Sequence, residues 1–271
     1  MRVAADASNP PSSSHVDPGP DLSLIARLEE LAASAWPARQ TLYHRGWMLR
    51  VSGGLSRRAN CITPVSTQQQ PDIAALPTLV AHSHRLGQSA VVRLRGIPNE
   101  TAIDDSLANE GWTREGDTEE RFGPITPQLV LGADATLSAV VTTEPSAAWL
   151  DAYIAWHRLE ERRAQSLRSL VALTPLPAAW VQLGNPTPLA IAAVAVDPPI
   201  GYLHAVVVDP HQRGAGHGLK VVQATVAAAL RLSATHLSIN VETTNTPAKA
   251  VYSRLGITTE LYRCWYRREP Q

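Results

Sequence analysis

The sequence predicts a mixed α/β fold, and three observations carry that expectation. Leu203-His204-Ala205-Val206-Val207-Val208 is an apolar run closed by Asp209-Pro210, the pattern of a buried strand ending in a turn. A glycine-rich turn, His211-Gln212-Arg213-Gly214-Ala215-Gly216-His217-Gly218, follows. Leu219, Val222, Val226 and Leu230 then mark one apolar stripe of a helix. Finally, two segments share one local pattern of helix end, glycine and apolar strand entry: Leu107 to Gly111-Trp112 and Tyr252 to Gly256-Ile257.

The remaining elements follow in order. Residues 1–20, with Asn9-Pro10-Pro11 and Pro18-Gly19-Pro20, hold too little apolar surface to offset their ordering entropy and read as a disordered tail. Leu22, Ile25, Leu28 and Leu31 give a helix to about Trp36, stopped by Pro37. Residues 41–64 read as two strands around Ser52-Gly53-Gly54. Arg45, Arg50, Arg57 and Arg58 cluster there, either as an anion-binding face or as solvated and inter-domain ion pairs. Residues 72–86 read as a helix with a late start or a kink at Pro77, Ala90–Leu94 as a strand, 101–110 as a short helix, and Trp112–Phe122 as a strand. His82 and His84 are two apart and do not share a helical face, which argues against a metal pair.

Gly123-Pro124, Pro127 and Gly132-Ala133-Asp134 suggest a linker over 124–136. Leu137–Thr142 is the first strand of a second half, and 146–170 is helical. The polar side of that region, His157, Glu160 and Glu161, is either an acceptor contact or a solvated face. Asn185-Pro186 and Pro188 mark a turn, Leu189–Val196 a strand, Asp197-Pro198-Pro199 a hairpin turn, and Gly201–Val208 the next strand. His236–Val241 and Leu261–Tyr266 complete the strands.

The chain has 271 residues, room for one large domain or two small ones. Lys+Arg and Asp+Glu are both 24, which argues against a sequence-independent nucleic-acid partner. Cys61 and Cys264 alone make neither a disulfide framework nor a zinc site. Without a membrane-length apolar run or a signal-like N-terminus, a cytoplasmic location and no membrane partner are the expectation.

Glycine turns at a strand-to-helix junction suit anions. The backbone reaches φ > 0, the first helical turn offers free N–H groups, and Arg213 adds a cation. The alternative is a glycine-rich connection with no ligand. The spacing is neither a Walker A nor a Rossmann fingerprint.

Two blocks resemble the GCN5-related N-acetyltransferases. Arg213-Gly214-Ala215-Gly216-His217-Gly218 is similar to their pyrophosphate loop after the fourth strand. Asn245, Ala248, Tyr252 and Gly256 match their Asn-x-x-Ala-x-x-x-Tyr-x-x-x-Gly-Phe block, with Ile257 in place of Phe. Gly46-Trp47, Leu49-Arg50, Ser52-Gly53-Gly54 and Arg58-Ala59-Asn60 also look like the opening of a bacterial branch whose degenerate first half precedes the active one.

The resemblance implies a mixed, mostly antiparallel twisted sheet flanked by helices, in two tandem halves. These would be a non-catalytic half over 21–123 and a catalytic half over 137–271. It implies acetyl-CoA as co-substrate, no metal, a small-molecule or peptide amine acceptor, and a homodimer as a common assembly. Amides of Arg213–Gly218 and the Arg213 side chain would hold the pyrophosphate. The free edge of Val206–Val208 would hold the pantetheine arm, and the Asn245 amide would cap the following helix, bond the pantetheine, or do both. Tyr252 would protonate the departing thiolate, and Glu242 would act as base, with His204 as rival or no base at all. A longer acyl-CoA donor, or a non-catalytic CoA-binding or regulatory module, are the competing readings.

Overall fold

The computed structural model describes residues 20–126 and 139–270. Within them, eleven strands form one sheet: β1 (Gln40–His44), β2 (Trp47–Val51), β3 (Ile62–Pro64), β4 (Val91–Arg95), β5 (Thr113–Pro124), β6 (Ala139–Thr142), β7 (Ala178–Leu183), β8 (Ala190–Asp197), β9 (Ile200–Val208), β10 (His236–Glu242) and β11 (Thr259–Arg268). Their spatial order is β1-β2-β3-β4-β11-β5-β10-β9-β8-β7-β6. Only β3–β4 and β9–β10 are parallel; every other neighbouring pair is antiparallel.

The helices are α1 (Leu22–Ala35), α2 (Leu76–Arg85), α3 (Thr101–Asn109), α4 (Ala147–Trp156), α5 (Glu161–Val171), α6 (His217–Arg231) and α7 (Thr246–Arg254). Local chemistry sets their ends. Asp21 caps α1 by accepting from the Ser23 and Leu24 amides, each at 3.0 Å. Pro77 sits in the first turn of α2, where its missing N–H costs nothing.

The two halves repeat one order of elements about the β11–β5 pair. β3, α2, β4, α3 and β5 correspond to β9, α6, β10, α7 and β11. The helix ends match in detail. Gly111 (φ 83°) and Gly256 (φ 78°) terminate α3 and α7. The Trp112 amide bonds Leu107 at 2.9 Å, and the Ile257 amide bonds Tyr252 at 3.0 Å. The halves also exchange their last strands. β11 lies between β4 and β5 of the first half, and β5 pairs with β10 of the second.

Several elements differ from the sequence reading. Residues 41–64 hold three strands, and the hairpin turn is at Arg45-Gly46 (φ 46° and 84°), where two successive positive-φ residues match strand twist; it is not at Ser52–Gly54. β7 was not anticipated, because Ala178-Ala179 weaken its strand signal. The 146–170 region is two helices. β5 continues through Pro124. The rest of the expected linker, 127–136, and the N-terminal tail to residue 19 lie outside the described residues.

The arginine cluster is committed to structure. Arg45 pairs with Asp72, and Arg57 with Glu115 and Glu242. Arg50 donates to the carbonyls of Ala33, Trp36 and Arg58. Arg58 lies buried over the Tyr202 ring. These contacts replace the anion-face alternative, and two of them, Arg57 to Glu242 and Arg58 to Tyr202, join the halves. α6 and α7 cover one face of the sheet's second half; α1, α4 and α5 cover the opposite face.

Candidate active site

The site forms where β9 and β10 part. Their parallel ladder runs from Ile200 to Leu203 opposite His236 to Ile239 and then stops. β9 continues to Val208 on β8, while β10 continues to Glu242 on β5. Each strand keeps its outer partner, so the gap is held open from both sides. Val206, Val207 and Val208 stand half-buried along the opened edge. β9 also carries a bulge there. Its register on β8 shifts between Ala193–His204 and Ile191–Val207, with Ala205 at φ 53°. A bulge of this kind leaves one residue's backbone groups out of the ladder.

The glycine turn closes one end of this gap. The Asp209 carboxylate accepts from the His211 amide at 2.9 Å and starts a short turn over Pro210–Gln212. Gly214 (φ 82°) and Gly216 (φ 81°) then take conformations that L side chains rarely adopt, and nothing lies within 4 Å of either Cβ position. Gly216 is the N-cap of α6 and offers no side chain to its free amides, so an anion can take them. Arg213 and Ala215 are exposed beside it, and His217 opens the helix half-buried. Gly218 has a different role: a Cβ there would lie 3.5 Å from Val208 and 3.9 Å from Val251. It lies between β9 and α7, at ordinary contact distance from both.

α7 closes the other side. The Asn245 side chain caps it by accepting from the Ala248 amide at 3.2 Å. Tyr252 is buried in the cluster that includes Leu203 and Val241, with Val206 and Val208 packed against it. Burial alone pushes its phenol well above the ordinary tyrosine range; no charge or side-chain hydrogen bond counters it. In the first half, Leu107 takes the corresponding place. The gap between α2 and α3 there is an apolar groove of about 320 Å³ lined by Leu76, Val80, Leu107 and Trp112, among others.

The other candidates are placed as follows. Ser238, Asn240 and Glu242 do share a face of β10. Ser238 and Asn240 both donate to Glu120 of β5, a carboxyl that burial pushes up. Glu242 is more than half exposed and takes the Arg57 guanidinium at 3.3 Å. His204 lies on the α1/α4 face, buried, with neither ring nitrogen partnered. His157 caps the end of α4, and its imidazole is lowered by partial burial and by the charges of Arg163 and Arg213. Glu161 meets Arg168, at 3.7 Å, on the solvated side of α5.

Sequence reasoning missed Glu120, which comes from the other half. The adjacent acids Glu119-Glu120 inside a strand pattern were the available signal: three consecutive charged residues at 119–121 are buried here. Among the described residues no group of three His, Cys, Asp or Glu could hold a metal, and no helix is long and apolar enough to cross a membrane.

Known proteins share this fold. The family described as "Probable histone acetyltransferase Rv0428c C-terminal" matches residues 22–266. The uncharacterized N-acetyltransferase YobR of Bacillus subtilis is 22% identical over 236 residues, covering 86% of this chain and 94% of its own. A GCN5-related N-acetyltransferase from Kribbella flavida superposes with a TM-score of 0.63 at 15% identity, covering 91% of this chain and 95% of the other. A tandem protein of the same fold from the clavulanic acid biosynthesis pathway gives 0.58 at 12% identity, covering 94% and 91%.

Proposed function

The chain belongs to the acetyltransferase family that matches residues 22–266, with the GCN5-related fold, and on that premise we propose that it moves an acetyl group from acetyl-CoA to a primary amine. The observation that carries this reading is the parted β9–β10 edge ending at a positive-φ glycine turn on the α6 N-terminus. Pyrophosphate sits on the amides of Arg213–Gly218 with Arg213 as counter-charge. The pantetheine amides pair with the free edge of Val206–Val208, and Asn245 borders the same channel. The thioester carbonyl is polarised by a backbone N–H released at the β9 bulge.

The neutral amine attacks the thioester carbon. A tetrahedral intermediate forms and collapses with loss of the thiolate, and the nitrogen gives up one proton. Tyr252 supplies a proton to the sulfur. In water a phenol is the weaker acid by about 1.5 units, roughly 2 kcal/mol. Burial raises the phenol further, and desolvation of the thiolate raises the thiol in the same direction, so the two shifts offset one another. Glu242 takes the amine's proton through water when it leaves Arg57. The acceptor is a small molecule or a peptide; the family's description makes a protein lysine one acceptor to test.

The test is thermal melting with acetyl-CoA, desulfo-CoA and NADH. A ligand that binds only the folded state raises Tm by mass action. A rise with both CoA compounds and none with NADH is expected. No rise at millimolar acetyl-CoA refutes the cofactor reading.

A further inference from the structure

His204 is the first residue of β9 beyond the last parallel pair, Leu203–Ile239, and it immediately precedes the bulged Ala205. It therefore stands at the inner end of the opened edge, on the face opposite α7. Aromatic rings hold it: Trp36 at 5.4 Å and Trp180 at 5.8 Å meet it edge-on, and Tyr202 stacks at 5.9 Å. The residue is 6% exposed, and neither Nδ1 nor Nε2 has a partner among the described residues. Asn240, next in line across the gap on β10, turns instead to Glu120 at 3.0 Å and the Cys264 sulfur at 3.5 Å.

Such a residue is costly to the fold. A buried polar group without a partner forfeits its hydration for nothing, and a leucine or phenylalanine here would fill the aromatic box without that loss. An orphaned imidazole at the inner end of the parted β9–β10 edge calls for a ligand atom as its partner.

We propose that His204 positions the acceptor: one ring nitrogen accepts a hydrogen bond from the N–H of the attacking primary amine, which enters this site uncharged. This rests on the acetyl-CoA reading above. The chemistry favours a neutral guest. Burial alone pushes the imidazole down to about 3, so it is uncharged and holds a free lone pair at neutral pH. The groups around it are Tyr202 on its own strand, Tyr153 of α4 beyond Trp36, His157 just past α4 beyond Tyr153, Arg58 behind Tyr202, and Glu120 beyond Asn240. None of them contributes to that shift. So weak a base does not strip an ammonium. Its work is to aim the nitrogen lone pair at the thioester, an orientation effect on the order of 100-fold.

His204→Leu, His204→Gln and His204→Asn test this in the full chain, with tyramine, spermidine and a blocked lysine peptide as probes. His204→Leu is expected to melt no lower than wild type and to keep the acetyl-CoA melting shift. With whichever probe wild type acetylates fastest, it is expected to lose about 100-fold in kcat/KM for the amine. Gln or Asn, which restores an acceptor atom, is expected to recover at least part of that loss. The acid limb of the wild-type kcat/KM profile should move with the basicity of the amine used. A His204→Leu chain that melts well below wild type, or acetylates within threefold of it, overturns the inference. So does an acid limb fixed near neutrality for all amines, which would mark a titrating protein base. If wild type binds acetyl-CoA while these results go the wrong way, only the His204 role falls. If wild type fails to bind it, the acetyl-CoA reading falls first.

Discussion

Replacing Tyr252 with phenylalanine separates chemistry from architecture. The ring is buried among α6, α7, β9 and β10 and keeps all its packing in the variant. Its hydroxyl has no side-chain partner to lose. The stability change should therefore stay within about 1 kcal/mol. Removing a general acid costs about 100- to 10,000-fold in turnover, which is about 3–5 kcal/mol of barrier. Acetyl-CoA affinity should hold, because the loop and the Val206–Val208 edge are untouched. At 100 times Kd, the ligand then adds about 2.7 kcal/mol to stability. At roughly 2–4 °C per kcal/mol for a chain of this size, the melting shift is about 5–10 °C in both proteins. Tyr252→Ala is the contrast: an aromatic removed from the core costs about 3–5 kcal/mol, and its activity loss carries that damage with it. The assay is continuous detection of free thiol, alongside melting with and without acetyl-CoA. A Tyr252→Phe protein that keeps its shift and more than half its turnover refutes the acid assignment.

Two further perturbations follow from the geometry. Gly216→Val meets no neighbour but forces a β-branched residue to φ near +81°, which costs roughly 1–2 kcal/mol; a lower Tm together with weaker CoA binding by calorimetry is expected. Burial works to raise the Glu29 carboxyl, but Arg93, with Arg58 and Arg95, prevails and holds it well below the usual range. Its contribution is therefore complete above the unfolded carboxylate range and is lost as pH falls through and below it. Glu29→Gln leaves Arg93 buried without its counter-charge, at a cost of about 3–5 kcal/mol, and should flatten that acid limb in urea titrations.

What the sequence determined by itself was local. The glycine turn, the Asn245 cap, the Gly256 stop and the α6 stripe are set by residues within a few positions of one another, so their signals survive in one dimension. The pairing of Leu107–Gly111 with Tyr252–Gly256 was legible for the same reason: each is one helix end and its cap.

Tertiary structure decided what depends on which distant strands meet. β5 pairs with β10, so Glu120, from the first half, accepts from Ser238 and Asn240 of the second. Arg57 reaches Glu242 across 185 positions of chain. The same register leaves His204 without a partner while Asn240, across the gap, finds one. Hydrophobic periodicity gives a strand's two faces and not its neighbours. Pairing is chosen by the burial of whole faces and by charges such as Arg93 and Glu29, which find partners only once the sheet has formed.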